Sequence, residues 1–250
     1  MQKFSLLGRL LLIALGIMVL WQLVVMITGL PKFILPSPLQ VFQTLNQRID
    51  LIAEHASITA LEILLGMLCG CVAGFLSALS LQMFKPIRPW LLPLLVISQA
   101  IPVFAVAPLL MVWFGYGMSS KIIMASLIIF FPVAAACYDG LRQTPQGWLD
   151  LAQTMQANAW QQLRYIRLPA SLPSLASGLR VAASVAPIGA VVGEWVGSSE
   201  GLGYLMLHAN ARMQIDLMFA SLFVLALMAL ILYFGIDVML RKMLPWVNHQ

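Results

Sequence analysis

Charge is what this chain has least of: nine acidic and fourteen basic side chains in 250 residues, 9% charged against 61% hydrophobic. Soluble domains carry about 25% charged residues, so a water-soluble globule is excluded. With a mean hydropathy of +0.93, the chain reads as an integral membrane protein. It contains no Gly-Lys dipeptide, hence no GxxxxGK[ST] loop to cradle phosphates, and any nucleotide-driven energy must come from another polypeptide. Cysteine is scarce. Cys69, Cys71 and Cys137 all fall in apolar runs, and a CxC pair on a helix points its thiols about 200° apart. Neither a metal pair nor a local disulfide is favoured, and packing is the expected role. His55, His208 and His249 are read as lying outside the spans, so no intramembrane nucleophile has an imidazole base at hand and no enzyme is expected. No repeat, low-complexity tract or flexible linker marks a second domain.

What the chain does have is apolar runs of helical length. A bilayer core about 30 Å thick takes roughly 20 residues of helix, and six such spans are expected, near Leu6–Leu30, Ile58–Leu81, Trp90–Phe114, Ile122–Tyr138, Leu175–Val196 and Leu217–Leu240. The first lacks a small-residue cleavage site and is read as a retained helix. An all-α, single-domain membrane protein over residues 1–250 follows, with an N-terminal helix at 6–30, core spans over about 58–240 and a polar loop at 139–174. With both termini in the cytosol, Lys3, Arg9, Lys85, Arg88, Arg142, Arg164, Arg167, Arg180, Arg241 and Lys242 lie inside. Lys32, Arg48, Lys121 and Arg212 lie outside. That asymmetry is what the positive-inside rule predicts. It also accounts for the net charge of +5 without nucleic acid, which would need a basic patch interleaved with aromatics.

Between the first two spans, Val41, Phe42, Leu45 and Ile49 recur at helical spacing and predict an amphipathic helix along the outer surface. The third span carries Pro93, Pro102 and Pro108, each removing a backbone donor. Gln99–Trp113 is therefore either a pathway wall or ordinary kinked packing. Carboxylates inside spans are costly. Glu62 is expected to pair structurally, whereas Glu194, beside Trp195, either accepts hydrogen bonds from a solute whose ring stacks on the indole or is an interfacial carboxylate facing Arg212 or water. Gln99, Trp113, His208 and Asn210 are lesser pathway candidates; a lone His208 in an outer loop reads more simply as a solvated residue. Asp139 and Asp237 are expected to be solvated at the cytosolic ends.

The polar island Asp150–Pro169, DLAQTMQANAWQQLRYIRLP, stands out against this background. Trp148, Leu151, Ala152 and Met155 share one helical face, and Trp160, Leu163 and Ile166 form another before Leu168-Pro169 ends the pattern. Two short helices meeting near Gln156–Asn158 suit either docking to a soluble partner or rest on the bilayer.

At this point the chain resembles the permease subunits of ATP-binding-cassette importers. Their cytosolic EAA motif has an acidic-x-Ala start, a Gly four residues after the Ala, and a hydrophobic-x-Leu-Pro end. Asp150-Leu151-Ala152 and Ile166-Arg167-Leu168-Pro169 match it at the family's spacing. Gln156 stands at the Gly position, so the left-handed bend is expected to move to Asn158. Ile34-Leu35-Pro36-Ser37-Pro38, the Pro102–Gly117 segment and Gly201-Leu202-Gly203-Tyr204-Leu205 extend the resemblance along nearly the whole chain. It points to the branch importing sulfonates, taurine, nitrate and thiamine-precursor pyrimidines. The runs Ala182–Gly203 and Leu207–Gln214 are most similar to hydroxymethylpyrimidine permeases.

The resemblance implies the type I importer permease fold and a homodimer in the bacterial inner membrane. Two ATPase subunits that hold ATP and Mg²⁺ would lie below and a periplasmic or lipid-anchored substrate-binding protein above; this chain itself is expected to hold no cofactor or metal. Trp148, Asp150, Leu151, Ala152, Met155, Gln156, Leu168 and Pro169 would couple the spans to the ATPase. Outside the family, a secondary transporter would need midplane coupling residues and paired broken helices, which the sequence does not clearly offer.

Overall fold

The computed structural model describes residues 6–100 and 102–246, with the backbone alone for residues 6, 7, 9–11, 85, 99 and 100. Lys3 and His249, and the side chains of Arg9, Lys85 and Gln99, lie outside the described residues. Those described form helices and connecting turns, with no strand. In chain order the helices are α1 Leu6–Thr28, α2 Pro38–Gln47, α3 Ile49–Met83, α4 Arg88–Ala100, α5 Val103–Phe114, α6 Met118–Arg142, α7 Gln146–Thr154, α8 Ala159–Gln162, α9 Leu168–Gly197, α10 Leu202–Ala211 and α11 Ile215–Met243.

Among the described residues four helices are long and apolar enough to cross a bilayer: α3, α6, the continuous run Ala159–Gly197 and α11. The segments Arg88–Ser98 and Val103–Phe114 meet at 102° and make a fifth span only if counted as one. The third span, expected to be kinked by its prolines, is broken outright just before α5, which Pro102 precedes without a backbone N–H to give. The first expected span, Leu6–Leu30, corresponds to α1, an apolar helix of 23 residues.

The amphipathic α2 is present. Ser37 caps it in a reciprocal box with Gln40, Pro38 opens its first turn, and Val41 is buried. Thr44 Oγ1 donates to Asp216 Oδ2 at 2.6 Å, and Phe42 meets Phe223 edge-on, fastening α2 to α11. The following helix starts at Ile49, well before the expected Ile58, because only Arg48 separates it from α2. His55 therefore lies inside a long helix and is buried, contrary to its expected place outside the spans.

Helix α6 is the centre of the bundle, with α3 and α9 packed along it. Small residues make this possible. Gly66, Gly70 and Gly74 recur every four residues on α3, and a Cβ at Gly70 would sit 2.8 Å from Ile129 Cβ. Gly178 and Gly189 of α9 face Pro132, Ala136 and Ala125 of α6 in the same way. Without a hydrophobic driving force between helices in lipid, such close backbone approach supplies the packing. Ala125, Ile129, Val133, Ala182, Ala183, Ala186 and Ala190 fill the seam. Cys137 is buried, Cys71 half-buried and Cys69 exposed, all three unbridged.

Asp237, expected to be solvated, is instead buried. Arg180 Nε donates to its Oδ1 at 2.7 Å and Arg241 Nε to its Oδ2 at 2.8 Å, joining α9 to the end of α11.

Candidate functional site

Two regions gather the residues singled out by sequence, at opposite ends of α9. At one end, α7 and α8 form an elbow projecting from the bundle. Leu149 and Ala152 are buried against the body, while Trp148, Leu151 and Met155 are 55%, 62% and 75% exposed. Ala152 therefore lies on the anchoring side, and the other three form an outward apolar face. Asp150 is exposed and accepts a hydrogen bond from Gln146 Nε2 at 2.9 Å, one turn earlier. Trp160 is exposed and Leu163 buried.

The bend falls on Gln156 itself, with φ of 59°, and not on Asn158. Its N–H donates to the Gln153 carbonyl and the Ala157 N–H to the Ala152 carbonyl, both at 2.9 Å. This pair closes a helix C-terminus around a left-handed residue. Asn158 is extended and caps α8, its side chain accepting from Gln161 N–H while the Gln161 side chain accepts from its backbone. The spacing Asn158-x-x-Gln161 is a capping-box signal readable in sequence.

Leu168-Pro169 does not end the helix. Residues Leu163–Arg167 form a π-helical turn, with Leu168 N–H reaching the Leu163 carbonyl, and the helix runs on to Gly197. Pro169 has no N–H and its ring would crowd the carbonyl four residues earlier, so a widened turn just before it lets the helix continue. Leu168 is half-buried and Pro169 exposed. A largely apolar cleft of about 650 Å³ opens here between Trp148, Leu151, Tyr165, Pro169 and Trp246.

At the other end of α9, Glu194 is 1% exposed. Thr59 Oγ1 donates to Glu194 Oε1 at 2.6 Å, and Gly203 N–H donates to Oε2. The Thr59 hydroxyl also accepts from Leu202 N–H at 2.8 Å, and His55 Nδ1 accepts from Gly201 N–H at 3.0 Å. Glu194 faces neither Arg212 nor solvent: its carboxylate holds the turn into α10. The glycines explain themselves. Gly201 has φ of 103°, and a Cβ on Gly203 would fall 2.7 Å from Glu194 Oε2. Beside this group, Lys121 Nζ lies 2.8 Å from Glu62 Oε1, both side chains buried. Lys121 stands in the first turn of α6, where the helix dipole disfavours a cation, and Glu62 compensates.

The remaining candidates are dispersed. Trp195 is 43% and Trp113 67% exposed; Asn210 is exposed on α10. His208 lies on α10, not in a loop, with its ring 4.3 Å from that of Tyr204. Sequence reasoning missed His55, Thr59, Gly201 and Gly203 as one cluster.

Residues 63–249 match the family described as the binding-protein-dependent transport system inner membrane component. The chain belongs to this family. A probable ABC transporter permease of Haemophilus influenzae is 59% identical over 96% of this chain and 98% of its own length. The formylaminopyrimidine transport permease of Halalkalibacterium halodurans is 36% identical over 94% of each. The riboflavin transport system permease of Chloroflexus aurantiacus is 37% identical over 92% of this chain and 87% of its own. A structure of the MetNI methionine ABC transporter in an inward-facing conformation shares the fold. It has a TM-score of 0.67 at 19% identity and covers 78% of this chain and 97% of that one. The permease is therefore a multi-pass inner-membrane subunit of an ABC importer, a class that is not itself enzymatic and that implies an ATPase and a substrate-binding protein as partners.

Proposed function

We propose that this permease forms, as a homodimer with both termini cytosolic, the pathway of an importer for a pyrimidine-type thiamine precursor such as hydroxymethylpyrimidine. Similarity to a formylaminopyrimidine permease along nearly the whole of both chains supports the substrate class. Similarity at equal level to a riboflavin permease supports a second reading, a larger nitrogen heteroaromatic solute. The same uptake experiment separates them. Cells with and without this chain are given labelled hydroxymethylpyrimidine, riboflavin, taurine and nitrate in turn. Pyrimidine uptake should fall in the strain lacking it; equal pyrimidine uptake in both strains refutes the preferred ligand.

The observation that carries the coupling role is the outward apolar face of α7. Three large side chains exposed on a helix whose opposite side is anchored by Leu149 and Ala152 suit insertion into a groove of the ATPase, which holds ATP and Mg²⁺. Asp150 adds a polar contact at the rim, and Gln156 and Pro169 set the elbow. Leu151→Asp puts a charge into that contact without touching the buried side. The ATPase should no longer co-purify while membrane insertion stays normal. Unchanged complex yield refutes the docking role.

For the pathway, Gln99, Trp113, Trp195, His208 and Asn210 remain the proposed wall residues. Glu194 contributes by fixing the turn between α9, which carries Trp195, and α10, which carries His208.

A further inference from the structure

Three arginines converge where α3 and α6 end and α4 begins, beside the elbow. Arg88, Arg142 and Arg167 line a polar cleft of about 440 Å³ whose other walls include Gln82, Gln153 and Gln162. No residue lining it is acidic, and the ion pairs found among the described residues involve none of the three arginines. Arg88 and Arg167 bring like charges to the walls of one cleft. They are nonetheless held in place by the spent ends of helices. Arg88 Nε and Nη2 donate to the Leu81 and Gln82 carbonyls at 2.7 and 3.3 Å, and Arg167 Nη1 to the Leu141 carbonyl at 3.2 Å. The Arg142 guanidinium lies 5.6 Å over the Tyr138 ring. These contacts leave most guanidinium N–H donors unused, directed by fixed stems and uncompensated in charge.

A second cavity adjoins the first. A groove of about 590 Å³ runs along α4 past Pro89, Leu92, Pro93, Val96 and Ile97, and Arg88, the one residue of its lining with a polar side chain, is shared by the two cavities. A basic cleft at the end of the spans that continues into an apolar groove along one of them matches an amphiphile with an anionic head. From this juxtaposition we propose that the permease binds one anionic phospholipid per chain, its phosphate held by Arg88, Arg142 and Arg167 and an acyl chain laid along α4. The bound lipid neutralises the arginine cluster beside the coupling elbow. Neither the transported solute nor the docking of α7 enters this inference.

The test uses the permease co-expressed and purified with its ATPase, with phosphatidylglycerol, phosphatidylcholine and inorganic phosphate as probes. Lipid surviving a detergent wash is counted by native mass spectrometry. Phosphatidylglycerol should be retained over phosphatidylcholine and should resist displacement by inorganic phosphate. R88Q, R142Q and R167Q should each lower its retention roughly fivefold. Val96→Trp, which fills the groove and spares the arginines, should lower it too. R142Q alters an exposed side chain and keeps the test decisive if the other arginine variants fail to assemble. Equal retention of the two lipids, or retention unmoved by R142Q and Val96→Trp, overturns the proposal. Ready displacement by inorganic phosphate assigns the cleft to a free anion and overturns the lipid. Loss of the ATPase from R142Q with unchanged lipid retention assigns the arginines to an acidic protein surface and overturns it as well.

Discussion

Replacing Thr59 by Val changes a hydroxyl to a methyl at nearly constant volume in a site with no solvent exposure. Two bonds disappear together: the 2.6 Å donation to Glu194 Oε1 and the 2.8 Å acceptance from Leu202 N–H. A hydrogen bond to a charged group contributes about 1.5–3 kcal/mol, and a buried N–H left without a partner costs about 1–3 kcal/mol. The turn joining α9 to α10 should therefore lose about 3 kcal/mol, which corresponds to roughly a hundredfold in its opening equilibrium. Hydrogen exchange over residues 201–206 reads this directly, because those amides exchange when the turn opens. Thr59→Ser keeps both bonds and gives up only a methyl, and should accelerate exchange by no more than about tenfold. The α7–α8 elbow, at the far end of α9, should exchange at its original rate in both variants. If Thr59→Val leaves exchange at 201–206 within threefold of the parent protein, Glu194 and Thr59 do not hold this turn and the reasoning fails.

Gln156→Gly should stabilise the elbow by about 1 kcal/mol, because a left-handed residue with a Cβ costs roughly 1–2 kcal/mol and glycine returns part of that as chain entropy; Gln156→Val should weaken ATPase association, and equal association for both variants would show that the bend is not strained. Glu62→Ala strands the Lys121 ammonium in a buried site and should cost about 3–5 kcal/mol in thermal stability of the purified complex, whereas the double change Glu62→Leu, Lys121→Met should recover most of it; a double variant no better than the single one would mean that the pair does more than neutralise itself.

The spans were readable because hydropathy and length are local properties, and the polar island because its composition breaks with everything around it. The 102° break between α4 and α5 was only half readable. Pro102 announces a lost donor, but the angle depends on what the two pieces pack against. The elbow misled for a specific reason: Asn is, after Gly, the residue that best tolerates the left-handed conformation, yet Asn158 is recruited by Gln161 three residues on, and the bend passes to Gln156. Glu194 was noticed for the right reason, an expensive carboxylate in an apolar run. Its partners Thr59 and Gly203 could not be inferred from spacing, since the Thr59 contact joins residues 135 apart in sequence. His55 was misplaced with them because α3 begins so soon after α2.

One helix joins the elbow to the buried turn. From Leu168, at the rim of the elbow, to Glu194, in the buried turn, α9 rises about 1.5 Å per residue and spans roughly 39 Å. Pivoted at its midpoint on the glycine seam with α6, a tilt of about 10° would swing each tip by roughly 3 Å, about one hydrogen-bond length, in opposite directions. The permease thus has the geometry of a seesaw. A small displacement at the elbow needs no relay of side chains to be felt at the buried turn, because the same helix occupies both places.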